Sequence, residues 1–312
     1  MTSLKRYIAE EIATDHLDGL MPRREAVRRL GLLGMSAAAA SALIAACSDE
    51  RAYEAGEEAN RTQPPAPSTT TTTTAEPPPG MANAVETTPI TWAGPAGELQ
   101  GAWAQPDVPE GAVLVIHENK GLNDWTRSVV GRLAGAGYSA LAVDLLSAQG
   151  GTATFSDPAA ATAALGDIAP DVMIADLRSG LTELARRAPG QKLAAVGFCM
   201  GGGLVWRLLA AGAPELAAAV PFYGPTPDNP DFAGSANVAV LAFYGALDSR
   251  VNATEPAASA ALDAAGMPHD VVIEPGADHA FFNDTGERYN AEAALDAWTR
   301  MQDWFEQYLG PA

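Results

Sequence analysis

From about Thr88 onward, short apolar runs alternate with longer stretches in which apolar residues recur every three or four positions. The runs GAVLVIHE (111–118), YSALAVDLL (138–146), KLAAVGFC (192–199), AAAVPFYG (217–224), VAVLAFYG (238–245) and HDVVIEPG (269–276) are predicted to be strands. Segments 125–137, 170–188, 201–212 and 255–266 have helical spacing, and a last helix is predicted from about Ala291 to Tyr308. Strands that are apolar on both faces and alternate with helices predict a mostly parallel sheet covered on both sides, an α/β domain over residues 88–312. In such sheets the chemistry collects at the carboxyl ends of the strands.

The first 87 residues follow a different pattern. Arg23, Arg24, Arg28 and Arg29 precede an uncharged apolar run from Leu30 to Ala46. A basic segment followed by an apolar one is the layout of a secretory signal, and the run is shorter than the roughly 20 apolar residues that a membrane-spanning helix needs. The paired arginines resemble a twin-arginine export signal. LIAAC resembles a bacterial lipobox, in which the cysteine is lipidated and becomes the new N-terminus. Residues 1–47 are therefore expected to be a signal segment ending at Cys47. The mature protein is expected to be exported to the cell envelope and lipid-anchored to a membrane through Cys47, on its periplasmic or extracellular face. Residues 48–87, rich in threonine, proline and acids, are expected to be a disordered linker.

Charge narrows the partners. With 38 acidic against 19 basic residues, the formal net charge of −19 lacks the phosphate-neutralising footprint of a nucleic-acid binder.

One strand ends in a motif that carries chemistry. Gly197-Phe198-Cys199-Met200-Gly201 has the G-x-nucleophile-x-G form, in which a strand turns sharply into a helix and pushes the central side chain out at the top of the sheet. At the start of a helix the thiol meets the positive end of the helix dipole, which favours the reactive thiolate. A phosphate-binding loop is excluded, because no Lys-Ser or Lys-Thr pair follows the glycines. The nucleophile needs a base, and the base needs an orienting group. Asp248 lies just past the strand ending at Gly245, and His279 lies in the loop after the next strand, whereas His269 precedes that strand. On position, His279 is the candidate base and Asp248 its partner. The lesser alternatives are a helix cap for Asp248 and a surface-loop position for His279; Asp278 competes for the acid role, although its neighbouring position turns it away from His279.

The stretches VIHENKGL, GFCMGGG, PFYG, YGALDSRV and HAFFND, taken in order, resemble the motifs of the dienelactone hydrolase (carboxymethylenebutenolidase) family over residues 88–310. That resemblance implies an α/β-hydrolase fold, a Cys199, Asp248 and His279 triad, and no metal or organic cofactor. It also implies that Glu118 helps govern when the thiolate forms, and that the backbone N–H groups of Met200 and Asn119 hold the oxyanion. The implied reaction is cleavage of a small ester or lactone through an acyl-cysteine intermediate. Alternatives are transfer of thioester or activated acyl groups, or a noncatalytic surface lipoprotein that binds a small ligand. The family grips a substrate carboxylate with arginines, one of them four residues after the catalytic histidine. Here that position is Asn283, and no arginine or lysine occurs between Arg132 and Arg178. Recognition of a carboxylate is therefore expected to be poor. Arg288 has two readings, a residue that reaches the site and a surface residue at a helix N-terminus, and the second is the one expected.

Overall fold

The computed structural model describes residues 3–58 and 77–310. It divides into two compact units, Met1–Pro77 and Pro78–Ala312.

The described part of the first unit comprises three helices that pack on one another: α1 (Ser3–Leu17), α2 (Arg23–Leu32) and α3 (Ala37–Glu58). The apolar run expected between Leu30 and Ala46 is not one helix. It is split between the end of α2 and the start of α3, where Gly34 adopts φ +83° and the Ser36 hydroxyl accepts the Ala39 N–H at 3.2 Å. Among the described residues no helix is long and apolar enough to cross a membrane. α3 also runs through Cys47 to Glu58, where a linker was expected from Ser48. The segment SDERAYEAGEE is acidic and poor in large apolar residues, but its alanine, arginine and glutamate are good helix formers. The Thr/Pro-rich stretch 59–76 lies outside the described residues.

The second unit begins ten residues before the expected boundary at Thr88. Val85 N–H bonds to the Gly131 carbonyl at 2.9 Å, and Gly80 sits against Trp298 and Arg132. The elements that follow are β1 (Thr88–Ala93), β2 (Glu98–Ala104), β3 (Gly111–Ile116), α4 (Asp124–Gly135), β4 (Tyr138–Val143), α5 (Pro158–Asp167) and α6 (Pro170–Arg187). Then come β5 (Leu193–Phe198), α7 (Met200–Ala210), β6 (Leu216–Phe222), β7 (Ala239–Gly245), α8 (Ser249–Asn252), α9 (Glu255–Ala265), β8 (His269–Glu274) and α10 (Ala291–Leu309). Among the described residues eight strands form one sheet in the order β1-β2-β4-β3-β5-β6-β7-β8, with β2 antiparallel to both its neighbours and the other pairs parallel. This is the mostly parallel α/β sheet that the strand pattern predicts, in the α/β-hydrolase arrangement that the family resemblance implies.

Residues of β3, β4 and β5 are buried throughout, which is why they read as unbroken apolar runs. Right-handed crossovers place α4 on one face and the adjacent α6 and α7 on the other. α10 lies on the α4 side, with Gly80 between Arg132 of α4 and Trp298 of α10. Asn123 caps α4 by accepting the Thr126 N–H at 3.0 Å, and Asn290 caps α10 by accepting the Ala293 N–H at 3.2 Å. The strand ends of β3, β5, β6, β7 and β8 therefore open on one edge, and the candidate site residues are on the loops leaving them.

Candidate active site

β5 ends at Phe198, and α7 starts two residues later, so Cys199 alone makes the turn. It does so at φ 55° and ψ −117°, a conformation that costs a residue with a side chain about 1–3 kcal/mol and that clusters at functional sites. The turn is fixed from both sides: Cys199 N–H donates to the Phe222 carbonyl at 3.1 Å, and the Cys199 carbonyl accepts the Gly203 N–H at 3.0 Å. Glycine is required just after the turn. A Cβ on Gly201 would lie 2.2 Å from the Ile116 carbonyl oxygen and 2.7 Å from that of His117, and one on Gly202 would lie 2.4 Å from the Phe222 oxygen. The helix can begin this close to β3 and β6 only because its first turn has no side chains there. Met200 stands at the first helical position, where the N–H has no acceptor within the helix. Ile116 is in register with Gly197, so Asn119 leaves the end of the neighbouring strand on the same edge.

Asp248 serves two purposes. One carboxylate oxygen accepts the Val251 N–H at 3.2 Å and caps α8; the other lies 2.6 Å from His279 Nδ1. The two loops are tied together by Leu247 N–H on the Ala277 carbonyl at 2.9 Å. Both partners of the acid–imidazole pair are buried. Burial by itself would raise the Asp248 carboxyl. The charge and hydrogen bond of His279, with help from Arg250 and the Val251 N–H, outweigh it and hold the group below the usual carboxylate range. Cys199 Sγ and a ring nitrogen of His279 lie within 4.8 Å of each other.

The competing residues lie elsewhere. Asp278 accepts the His279 backbone N–H at 2.6 Å and faces Arg288 at 3.5 Å. Arg288 is accordingly not the helix-terminal surface residue expected. It precedes α10 in a loop, and its side chain is only 13% exposed, beside Asp278. His269 lies at the amino end of β8, bonded to the Met267 carbonyl at 2.9 Å.

Glu118 follows β3 and is buried. Its Oε2 accepts a hydrogen bond from the Asn283 side-chain amide at 2.8 Å, and its Oε1 accepts a long one, 3.5 Å, from the Tyr223 hydroxyl. Tyr223, at the end of β6, also turns its ring edge-on to His279 with 5.2 Å between centroids, so one side chain touches both Glu118 and the imidazole. His117 holds the strand end: Nδ1 bonds the Glu118 carbonyl at 2.7 Å, and Nε2 accepts the Leu145 N–H at 3.3 Å. These partners place the proton on Nδ1, and burial pushes the His117 pKa down, so the ring is a neutral structural bridge.

Tyr223 and the Asn283–Glu118 contact were missed from the sequence. PFYG put Tyr223 at the carboxyl end of a strand, which was the available signal. The Asn283 contact spans 165 residues and left none.

The match to the family model named Dienelactone hydrolase family covers residues 99–309, from β2 to the end of α10. The chain belongs to the dienelactone hydrolase family. It is 35% identical over 219 residues to an Escherichia coli O157:H7 protein named "Putative carboxymethylenebutenolidase", covering 66% of this chain and 80% of that one. The crystal structure of a Klebsiella pneumoniae protein named "Putative Dienelactone Hydrolase" superposes with a TM-score of 0.61 at 31% identity, covering 71% of this chain and 99% of that one. A dienelactone hydrolase-like promiscuous phosphotriesterase from metagenomic libraries superposes with a TM-score of 0.63 at 28% identity, covering 73% and 100%.

Proposed function

We propose that this member of the family hydrolyses esters or lactones through an acyl enzyme on Cys199. The observation that carries the reading is the 2.6 Å Asp248–His279 contact beside a thiol held on a strained strand-to-helix turn. His279 takes the thiol proton, and the thiolate attacks the carbonyl carbon. The resulting oxyanion is held by the Met200 and Asn119 N–H groups. Collapse breaks the bond to the leaving oxygen, which receives the proton from His279. Water, deprotonated by the same imidazole, then attacks the thioester, releasing the acid and restoring the thiol. Asp248 keeps the imidazole in the tautomer that accepts at Nε2 and stabilises it when charged.

The test uses the reduced full-length protein with p-nitrophenyl acetate. Wild type turns over, while Cys199→Ala and His279→Ala fall to background. Equal slow release by all three would overturn the mechanism.

From the sequence alone we also propose export and a lipid tether on Cys47. Intact cells fed a fatty-acid probe should label the wild type; a Cys47→Ala variant that still carries label refutes the tether.

A further inference from the structure

His117 is a wholly buried titratable residue that the mechanism above does not use. It follows β3 and opens the loop that carries Asn119. Both of its ring nitrogens are engaged: Nε2 accepts the Leu145 backbone N–H at 3.3 Å, and Nδ1 lies 2.7 Å from the Glu118 backbone carbonyl oxygen. A backbone N–H can only donate and a carbonyl can only accept, so Nε2 is bare and the proton is on Nδ1. Burial pushes the pKa of the ring down against the pull of nearby Asp144, which keeps the imidazole neutral.

The carbonyl that His117 holds belongs to the same peptide unit as the Asn119 N–H. A peptide unit is planar, and in its trans form the C=O and the N–H point in opposite directions. Fixing the Glu118 carbonyl therefore fixes the direction of the Asn119 N–H, one of the two donors given to the oxyanion above. The Gly121 N–H donates to the same oxygen at 3.2 Å, so two donors hold it and the imidazole is the nearer. The far end of the bridge is fixed as well. Leu145 lies between Asp144 and Leu146. Asp144 Oδ1 accepts the Leu146 N–H at 3.0 Å and the Thr152 hydroxyl at 2.8 Å, and its Oδ2 accepts the Thr152 N–H at 2.7 Å. The Thr152 hydroxyl oxygen accepts the Leu122 N–H at 2.9 Å. The loop after β4 thus grips the loop after β3 at two points, through the His117 ring and through Thr152.

We propose that His117 is a positioning residue for the reaction: as a neutral ring with its proton on Nδ1, it aims the Asn119 N–H at the oxyanion by holding the opposite end of the same peptide. The inference rests on the hydrolase reading above. His117 acts through the backbone, so its removal weakens the transition state, where the oxyanion exists, and spares reactions of Cys199 in which no oxyanion forms.

The test has two arms, both on the reduced full-length protein. The first leaves His117 in place: NMR of isotope-labelled histidine nitrogens, with the His117 signal identified by replacing His16, His269 and His279 in turn. A neutral ring protonated at Nδ1 is expected throughout pH 5.5 to 8; a proton on Nε2, or titration within that range, overturns the inference. The second arm compares kcat/KM for p-nitrophenyl acetate with the rate at which iodoacetamide alkylates Cys199, a displacement of iodide by the thiolate that forms no oxyanion. His117→Leu should lower kcat/KM about 10- to 100-fold and leave alkylation within about threefold of wild type. His117→Gln, which keeps one donor and one acceptor, should recover most of the loss. A folded His117→Leu protein that retains wild-type kcat/KM, or that loses alkylation as severely as acyl transfer, overturns the inference and leaves the hydrolase reading intact. If the wild type shows no Cys199-dependent turnover, the hydrolase reading fails and takes this inference with it.

Discussion

Replacing Asp248 by asparagine separates the two tasks of that side chain. Asparagine caps a helix about as well as aspartate, so the Val251 N–H keeps its acceptor and α8 keeps its start. The change falls on the second oxygen, 2.6 Å from His279 Nδ1. An amide NH₂ there makes Nδ1 an acceptor, which moves the ring proton to Nε2 and leaves nothing to receive the proton of Cys199. The negative charge is lost as well. With charge centres about 4 Å apart and an effective dielectric near 20, its attraction for the imidazolium is about 4 kcal/mol, a factor of about a thousand in rate. Asp248→Ala removes the cap too, so it should show the same loss of kcat/KM with a further loss of stability of about 1 kcal/mol. The assay is p-nitrophenyl acetate hydrolysis from pH 5 to 9 by the reduced full-length protein, alongside thermal unfolding. The Asp248 carboxyl is held below its ordinary range, so its contribution to stability is present above the unfolded-state pKa and disappears as pH falls through the folded value. The asparagine variant should therefore lose that acid-side part of the stability curve, read in melts carried below about pH 4. Activity within about fivefold of wild type, against the thousandfold loss worked out above, would refute the reasoning.

Three other outcomes follow from the packing. Gly201→Ala drives a Cβ into two backbone carbonyls that cannot move aside, and should cost about 3 kcal/mol or more, read as a fall in the unfolding midpoint together with loss of activity. Arg132→Met leaves the Asp284 carboxylate without its buried partner and should destabilise by about 3–5 kcal/mol; adding Asp284→Asn should recover much of that in chemical denaturation. Burial and the neighbouring Asp296 push the Glu274 carboxyl up to about 7. The folded state then keeps a proton that the unfolded chain has lost, so stability falls as pH rises from about 4.5 to 7; Glu274→Gln should flatten that slope in a series of melts between pH 5 and 8.

The parallel part of the sheet was legible because both faces of each strand are covered, so β3 to β7 appear as uninterrupted apolar runs. The β1–β2 hairpin was not. β1 is an edge strand with one face largely in solvent, it begins Thr-Pro, and its alternation is interrupted by polar residues. α5 was missed for a related reason: PAAATAALGD is so rich in alanine that no polar face sets a helical period. In the site, the order of nucleophile, acid and histidine along the chain picked out Cys199, Asp248 and His279, and the fold places Asp248 2.6 Å from His279 Nδ1 and Cys199 Sγ within 4.8 Å of a ring nitrogen of His279. Sequence left Asp248 as either a cap or a partner for histidine, and its two oxygens do both. The Asn283–Glu118 contact depends on a fold-determined meeting of distant loops, so no local spacing encodes it.

The glycines after Cys199 have an evolutionary consequence. The start of α7 rests on the carbonyls of Ile116, His117 and Phe222, backbone against backbone, so the coordinates of the nucleophile do not depend on which side chains surround it. Mutations around the site can reshape what is bound without displacing the sulfur of the proposed nucleophile. A lineage built on this turn can therefore drift among substrates through single neutral steps while Gly201 and Gly202 are kept.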